Sequence, residues 1–230
     1  MGCLLKANGL YSRTTVGAVL LAAGAGSRLG RRPKALLELG GVPLIVRQCV
    51  ALSGAGVDEL VVVLGHHADA IEPVVAPFPI TIVRNPEPDR GQHTSVRLGL
   101  QALSPRLDAV IVALADQPLI GEADVVALIG AFKKRGDASM VVPRVTADGD
   151  TRPGNPVIFD AALRDEWLAG ASDAACRKWR ASHPERVRWF DTDNRRYALD
   201  IDTPDDLVRF AARTGHTLQW PAPFAHEMAK

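Results

Sequence analysis

The segment from Val16 to Ala23 is the part of the sequence that most restricts the possible folds. It reads VGAVLLAA and holds only small or apolar residues. A strand of this composition has no polar face to turn toward water, so it has to be buried on both faces, as the inner strands of parallel sheets are. The segment therefore predicts an α/β fold in which it forms an inner strand.

A glycine-rich, basic loop follows this strand directly. Gly24 and Gly26 allow a positive φ and a close approach of backbone amides to a ligand. No acidic residue precedes Glu38. Positive charge comes from Arg28, Arg31, Arg32 and Lys34. Since nothing nearby in the sequence offsets this charge, the loop is predicted to bind an anion, and we interpret it as a triphosphate site.

Two well-known anion-binding loops do not match. The phosphate loop of P-loop nucleoside triphosphatases requires G-x-x-x-x-G-K-[ST], but Gly26 and Gly30 are too close together and Arg31 takes the place of the lysine. The dinucleotide fingerprint G-x-G-x-x-G fits Gly24 and Gly26, but its third glycine is one residue late. An NAD-type site is therefore disfavoured. An ordinary strand-to-helix turn with a solvated basic face is the remaining structural alternative.

The loop resembles the signature L-A-A-G-x-G-x-R-x-G-…-P-K of the MobA-like NTP transferase family. In that family the loop wraps the triphosphate of the nucleotide, and its arginine and lysine contact the phosphates. The resemblance assigns nucleotide binding to a set of loop residues: Leu21, Ala22, Ala23, Gly24, Gly26, Arg28 and Lys34. It also implies CTP as the nucleotide, because relatives that transfer GMP tend to carry a second glycine in place of Ala23.

Apolar segments of alternating type continue along the chain. Strands are predicted at 58–64, 80–83, 108–114 and 138–145, and helices at 43–52, 91–103, 161–169 and 172–182. This alternation implies parallel strands joined by helices, so we expect a three-layer α/β/α, Rossmann-like nucleotidyltransferase fold with a mostly parallel sheet. The domain is expected to span 16–212, between a disordered N-terminal tail at 1–15 and a C-terminal tail at 213–230.

The predicted helix at 91–103 carries a second motif. Its apolar residues fall on one helical face, and His93 or Thr94 is placed to cap its start. The segment GQHTSVRLGL resembles the pattern G-[MQ]-x-x-S-[LV]-R-x-G-L of the branch of the family that acts on the molybdenum cofactor. This resemblance implies that the start of the helix, with Gly91 and Ser95, lies against the nucleotide.

Asp116 follows the predicted strand at 108–114 in the string L-A-D-Q-P. Ligands of open α/β sheets gather at the carboxyl ends of the strands, so this carboxylate is expected at the same edge as the basic loop. Mg²⁺ needs only one or two protein carboxylates, because water and substrate phosphate fill its other positions. Asp116 is therefore the first predicted Mg²⁺ ligand, although an acid that merely begins a turn before proline is also possible.

The string D-I-D-T-P-D-D-L contains the second predicted Mg²⁺ ligand. Thr203, Pro204 and Asp206 have the types that begin a helix, as N-cap, first and third residues, so they need no chemical explanation. Asp202 lies just ahead of this cap and is not required by it. The corresponding aspartate of the family binds the metal, so the resemblance assigns Asp202 to Mg²⁺.

The matches extend over about residues 16–210 and are most similar to the molybdenum cofactor cytidylyltransferases. The resemblance implies that CMP is transferred from CTP to the phosphate of molybdopterin, a phosphorylated pterin, with Arg28, Lys34 and Asp116 as catalytic residues. In the string G-N-P, Asn155 stands where relatives usually have histidine. A sugar or isoprenoid phosphate therefore stays open as the acceptor, as does a non-catalytic cofactor carrier or insertion partner. A molybdenum hydroxylase or its insertion chaperone is a possible protein partner.

Composition limits the partners and the location. The 230 residues are 47% hydrophobic, enough for one full core, and the formal charge of +1 argues against nucleic acid as the main partner. No apolar run suggests a signal peptide or a membrane span. Cys3, Cys49 and Cys176 are far apart and odd in number, which predicts neither a disulfide framework nor a zinc site and fits the cytoplasm. His66 and His67 are adjacent on extended chain and point to opposite sides, which disfavours a shared metal.

Overall fold

The computed structural model describes residues 13–169 and 176–225. Most of the expected N-terminal tail, residues 1–12, lies outside this range, as do residues 172–175 of the last predicted helix. No helix in the described ranges is long and apolar enough to cross a membrane.

The strands follow one another in this order: β1 (Val16–Ala22), β2 (Glu38–Leu39), β3 (Val42–Pro43), β4 (Glu59–Leu64), β5 (Thr81–Arg84), β6 (Ala109–Leu114), β7 (Met140–Ala147), β8 (Asp150–Pro153), β9 (Val157–Asp160), β10 (Val187–Thr192) and β11 (Leu218–Gln219). The α-helices are α1 (Leu44–Gly54), α2 (Ala68–Val75), α3 (Gln92–Ala102), α4 (Glu122–Lys133), α5 (Ala161–Ala169), α6 (Cys176–Ser182) and α7 (Pro204–Thr214).

The main sheet has the strand order β10-β7-β9-β6-β1-β4-β5, with β8 paired to β7. Strand β1 is parallel to both of its neighbours, β4 and β6. The chain moves from β1 outward to β4 and β5, and then returns to the other side of β1 to form β6. This reversal makes the gap between the carboxyl ends of β1 and β6 the switch point of the sheet, where ligands of open α/β sheets bind.

Alternate residues of β1 face opposite layers, because successive side chains of a strand point to opposite faces. Ala18 and Leu20 belong to a core that α1, α2 and α4 complete, whereas Val19 and Leu21 belong to a second core completed by α3, α5 and α6. All residues of β1 are buried. The three-layer α/β/α arrangement with a mostly parallel sheet is therefore confirmed.

One strand arrangement differs from a simple alternation. Strand β9 lies between β6 and β7 and is antiparallel to both of them. Its first residue, Val157, pairs with Val112 near the end of β6. The antiparallel direction therefore brings the segment before β9, with Gly154 and Asn155, to the edge of the sheet where β1 and β6 end.

The helix starts follow the predicted caps in one case and not in another. At α7, the Thr203 hydroxyl accepts a hydrogen bond from the amide of Asp206, and the Asp206 carboxylate accepts one from the amide of Thr203. At α3, the cap is Gly91 with a φ of 114°, and neither His93 nor Thr94 caps it. The prediction for α3 was wrong because a glycine can make the sharp turn that begins this helix without a side-chain cap.

Residues 213–225 pack on the domain instead of extending from it as a tail. Helix α7 continues to Thr214, and β11 then pairs with β2 in a small three-stranded sheet. A third apolar cluster lies below this sheet and contains Leu29, Leu44 and Phe210. The basic loop therefore packs against the third apolar cluster, to which residues after 212 also contribute.

Candidate nucleotidyl-transfer site

The basic loop and Asp116 lie side by side because of the register between β1 and β6. Leu21 pairs with Leu114, so the residues that follow both strands leave the sheet together. Gly24 comes three residues after Leu21, and Asp116 two residues after Leu114. The parallel pairing thus places the first sequence motif beside the predicted metal ligand.

The two loop glycines have different roles. Gly26 has a φ of 61°, and a Cβ atom built on it would lie 2.2 Å from the carbonyl oxygen of Arg32, so the loop has room only for glycine there. Gly24 does not have a positive φ, contrary to the prediction, and a Cβ atom on it would meet only the Lys34 side chain, at 3.9 Å. Because Gly24 has no side chain, there is space beside Lys34.

Four of the predicted site residues form one cluster of charges. Lys34 Nζ contacts Asp116 Oδ2 and lies 2.9 Å from Asp202 Oδ1. Arg28 Nη2 lies 2.9 Å from Asp202 Oδ2. The two carboxylates come from segments more than eighty residues apart in the sequence, and Lys34 joins them. The fold therefore brings together residues that three separate motifs assigned to phosphate and metal.

The pKa values of this cluster follow from burial and opposite charge. Burial alone would lower the pKa of Lys34, but the carboxylates of Asp116 and Asp202 outweigh it, so the pKa is raised. Burial would likewise raise the pKa of Asp202, but Lys34 and then Arg28 lower it. Both shifts favour the charged forms, so Lys34 and Asp202 form an ion pair in this cluster.

Two other loop arginines do not belong to this cluster. Arg32 was predicted to add charge to the anion site, but it is buried, and its Nε donates a hydrogen bond to the Leu29 carbonyl. Its guanidinium lies 4.0 Å from the centre of the Trp220 ring and donates to the Phe224 carbonyl. Arg32 therefore joins the loop to the C-terminal segment, whereas Arg31 stays exposed.

A cavity of about 170 Å³ lies beside the charge cluster. Its wall includes most of the residues that the motifs assigned to the nucleotide: Leu21, Ala22, Ala23, Gly24, Lys34 and Ser95. The predicted metal ligand Asp116 also lines it. Gly26, Arg28 and Gly91 are not among the lining residues. The buried hydroxyl of Ser95 accepts a hydrogen bond from Asn85, at 2.9 Å, so this serine also fixes the chain after β5. We refer to this space as the first cavity.

A second cavity, of about 370 Å³, adjoins the first and shares Gln92 and Leu114 with it. The segment before β9 forms one wall. There Gly154 is held so close to Tyr197 that an added Cβ atom would lie 2.6 Å from the Tyr197 carbonyl oxygen. Gln117 Nε2 donates to the carbonyls of Asn155 and Tyr197, at 3.2 and 3.1 Å. Gln117 thus connects the Asp116 turn to this wall.

The residues present fit a divalent metal ion. Asp116 Oδ1 is buried and has no hydrogen-bond partner, which is a costly arrangement unless something else binds that oxygen. Asp116 and Asp202 converge on the same ammonium group. Among the described residues, no group of three or more acidic, histidine or cysteine side chains could hold a metal. Two carboxylates are nevertheless enough for Mg²⁺, which takes its other ligands from water and phosphate.

Sequence reasoning missed two arginines of the second cavity, Arg177 and Arg180 of α6. Their spacing of three residues places them on one face of a helix, a signal that was available but has no motif attached to it. The adjacent histidines lie in the turn before α2 and not on extended chain as predicted, and they have separate partners. His66 lies 3.0 Å from Asp89, and His67 lies 3.0 Å from the Ala25 carbonyl.

Comparisons with known proteins identify the family of this chain. Residues 18–187 match the model of the MobA-like NTP transferase domain. Nicotine blue oxidoreductase from Paenarthrobacter nicotinovorans is 34% identical over 197 residues, which cover 83% of this chain and 94% of that protein. A 2-C-methyl-D-erythritol 4-phosphate cytidylyltransferase from Streptomyces coelicolor is 37% identical over 135 residues, covering 56% of this chain and 49% of that protein.

Comparison with solved structures also finds proteins of similar fold. A crystal structure of Rv0371c from Mycobacterium tuberculosis H37Rv has a TM-score of 0.71 and 29% identity, and covers 86% of this chain and 98% of that one. A structure of Rv0371c in complex with manganese has a TM-score of 0.67 at 27% identity, with coverage of 85% and 97%. From the family model, these likenesses and the architecture, we conclude that the chain is a nucleotidyltransferase and belongs to the MobA-like NTP transferase family.

Proposed function

We propose that this protein transfers CMP from CTP to the phosphate of molybdopterin and releases pyrophosphate. The observation that supports this most strongly is the convergence of Asp116 and Asp202 on Lys34 beside the glycine-rich loop. A site for phosphoryl transfer needs cations for the triphosphate and carboxylates for a metal at one place, and this cluster has both. The choice of CTP comes from the L-A-A-G form of the loop, and the choice of acceptor from the motif at 91–100.

In the proposed complex, the triphosphate lies along the loop and the first cavity. Arg28 is 64% exposed, and its pairing with Asp202 is of the surface kind that contributes only about 0–1 kcal/mol. Its guanidinium can therefore turn from Asp202 to a phosphate at little cost. Lys34 is 21% exposed and lies between the carboxylates, where it can contact a phosphate without leaving the cluster.

Asp116 and Asp202 would hold Mg²⁺, with the unpartnered Asp116 Oδ1 as one ligand atom. When bound, this ion supplies positive charge that stabilises the phosphate oxygens of both substrates as the reaction proceeds. A manganese complex of Rv0371c, which is similar in fold, agrees with a divalent metal in the family. The protein contributes the positions of the two carboxylates, which lie close enough together to bind one cation.

The reaction requires alignment and charge compensation more than acid–base chemistry. An oxygen of the acceptor phosphate forms a bond to the α-phosphorus of CTP, and the bond from that phosphorus to the bridging oxygen breaks. The attacking group is already an anion, so no general base is needed. Arg28 and Lys34 stabilise the negative charge that accumulates on the departing pyrophosphate.

Calorimetric titration with CTP, GTP, ATP and NAD⁺, each with and without Mg²⁺, tests the nucleotide assignment. We expect Mg²⁺-dependent binding of CTP that Asp116→Ala loses. Pyrophosphate release is then measured with molybdopterin and with a panel of sugar and isoprenoid phosphates. Release with one of those acceptors and not with molybdopterin would replace the proposed acceptor. CTP binding without release from any acceptor would favour a non-catalytic carrier or insertion partner.

A second candidate function is an oxidoreductase reaction, and one observation favours it. Nicotine blue oxidoreductase, to which this chain is similar, matches over 94% of its length. The same titration separates the two candidates. Tight binding of NAD⁺ with no Mg²⁺-dependent binding of CTP would favour the redox reaction, whereas the reverse pattern favours cytidylyl transfer.

The proposed reaction also suggests where the protein acts and with what. We propose the cytoplasm as the location, because three widely spaced cysteines in the sequence predict no disulfide framework. A cofactor modified in this way has to reach an enzyme that uses it, so a molybdenum hydroxylase or its insertion chaperone is the proposed protein partner. Co-purification of either one from cells that express the tagged protein would support this partner.

A further inference from the structure

The second cavity has a composition different from that of the first. Its floor is apolar, with Val96, Val112 and Val157 from α3, β6 and β9, and its rim carries two arginines of α6. It shares Gln92 and Leu114 with the first cavity, so ligands in the two spaces would be neighbours. Leu114 lies two residues before Asp116. A molecule in the second cavity is therefore close to the proposed metal site.

Arg177 and Arg180 are cations without an acidic partner in the described part of the chain. Neither has a carboxylate within salt-bridge distance among those residues, whereas ten other arginines there do pair with one. Burial lowers the pKa of Arg180, and the charge of Arg177 acts in the same direction. Two guanidinium groups on one helix face and on one cavity wall repel each other, and a bound anion would relieve that repulsion.

Asn155 adds a neutral polar group on the opposite wall. Its backbone amide donates to the Tyr197 carbonyl at 2.8 Å, and its own carbonyl accepts from Gln117, so its main chain is fixed. Its side-chain amide makes no hydrogen bond to any residue that the structure describes, and it lines the cavity. The cavity thus offers apolar contact, an amide and two cations, a set that suits a flat or apolar body with an anionic group.

We propose that the second cavity binds the acceptor of the transfer reaction and that Arg177 and Arg180 hold an anionic group of it. They would be specificity-determining residues, because they select acceptors with a negative charge without contacting the nucleotide. This inference rests on the proposed function in so far as it assigns the cavity to the acceptor. The shared wall of Gln92 and Leu114 is the reason that an acceptor held there lies next to the nucleotide.

The first test measures kinetics with the acceptor that the wild-type protein uses. Arg177→Gln and Arg180→Gln are each expected to raise the KM for the acceptor about tenfold or more, and to change the KM for CTP less than twofold. Lys178→Gln is the matched control, because it removes one positive charge from the same helix at an exposed position that does not line the cavity. An equal effect in the control, or an effect on the KM for CTP alone, would overturn the inference.

The second test does not depend on turnover. Inorganic phosphate is titrated by calorimetry into the protein saturated with Mg²⁺ and a CTP analogue whose α,β-phosphate bond cannot be cleaved, so that the triphosphate site is filled and no transfer occurs. The wild type and Lys178→Gln are expected to bind phosphate equally, and the double variant Arg177→Gln/Arg180→Gln to bind it at least about tenfold more weakly. Absence of binding by the wild type, or equal binding by the double variant, would contradict the inference.

The two tests separate this inference from the proposed function. If molybdopterin is not cytidylylated but phosphate binding depends on the arginines, the acceptor assignment fails and the anion site stands. If molybdopterin is cytidylylated with an acceptor KM that does not depend on the arginines, the proposed function stands and the anion site fails. Melting temperatures within 2 °C or so of the wild type would show that the variants keep their fold.

Discussion

Asp116 has one oxygen that contacts Lys34 and one buried oxygen with no partner. Replacing it with asparagine keeps the shape of the side chain but removes the charge that a metal needs. We expect Asp116→Asn to lower the rate of CMP transfer by a factor on the order of a hundred or more, because charge stabilisation in the transition state is lost. Steady-state pyrophosphate release measures this change.

Asp205→Asn is a suitable control for that variant. Asp205 is an exposed acid three residues from Asp202, and its replacement removes the same charge without touching Lys34. The control is expected to turn over within twofold of the wild type. A rate near that of the wild type for Asp116→Asn would contradict the role of Asp116 as a metal ligand.

Replacing Gly26 or Gly24 of the loop with alanine is predicted to have different effects on stability. Gly26→Ala forces a side chain into a φ of 61° and against the Arg32 carbonyl, so we expect it to lower the free energy of unfolding by more than about 1 kcal/mol. Gly24→Ala meets nothing closer than 3.9 Å and should leave stability within about 0.5 kcal/mol of the wild type.

Gly24→Ala is nevertheless expected to weaken CTP binding, because its methyl group would occupy space beside Lys34 in the first cavity. Urea denaturation gives the stabilities of both variants, and calorimetry gives the CTP affinity of the stable one. Unchanged CTP binding by Gly24→Ala would mean that the nucleotide does not approach this part of the loop.

At the scale of single elements, the start of α7 makes the most specific prediction. Thr203 and Asp206 exchange hydrogen bonds with each other's backbone amides, so two amides of the helix start are satisfied. We expect Thr203→Ala to lower the free energy of unfolding by about 1 kcal/mol, the usual cost of losing such a cap. Thr217→Ala, at an exposed loop position, is the control and should be neutral within error in urea denaturation.

Because of the same cap, we expect the free energy of unfolding to change with pH in the acid range. Burial alone would raise the pKa of Asp206, but hydrogen bonds from Thr203, Arg209 and two backbone amides lower it to about 2. Because the folded-state pKa lies below the unfolded value, the stabilisation is present above about pH 4 and is lost as the pH falls toward 2. Asp206→Asn should therefore be less stable than the wild type at pH 7, with the difference shrinking between pH 4 and 2. A constant difference would contradict this.

Elements with a clear apolar period were predictable, and those without one were not. The helix predicted at 161–169 has the same bounds as α5, and the strand predicted at 108–114 differs from β6 by one residue. Helix α4 was not predicted, although Glu122 and Asp124 begin its first turn. Strand β10 was also missed, because it lies at the edge of the sheet, where none of its residues is fully buried, and it has no continuous apolar run.

At the scale of the whole molecule, we expect residues 213–225 to stabilise the basic loop. Trp220 packs on the third apolar cluster, and the guanidinium of the buried Arg32 lies over the Trp220 ring in a cation–π contact. Trp220→Leu keeps an apolar side chain but removes this contact, so we expect a loss of about 1–2 kcal/mol in the free energy of unfolding. Amide hydrogen exchange in loop residues 24–33 should also become faster. Exchange that speeds up elsewhere but not in the loop would show that the contact does not stabilise it.

The local features could be predicted from the sequence: the buried strand β1, the basic loop after it, the capped start of α7 and the acids Asp116 and Asp202. These follow from short-range patterns of polarity and from turn chemistry, which depend on neighbouring residues. The contacts of Lys34 with the two acids and of Arg32 with Trp220 became known from the fold alone. The antiparallel direction of β9 relative to β6 also became known only from the fold. Such contacts depend on the order and direction in which strands pair, which no local pattern specifies, and which arise from burying the faces of the whole sheet at once.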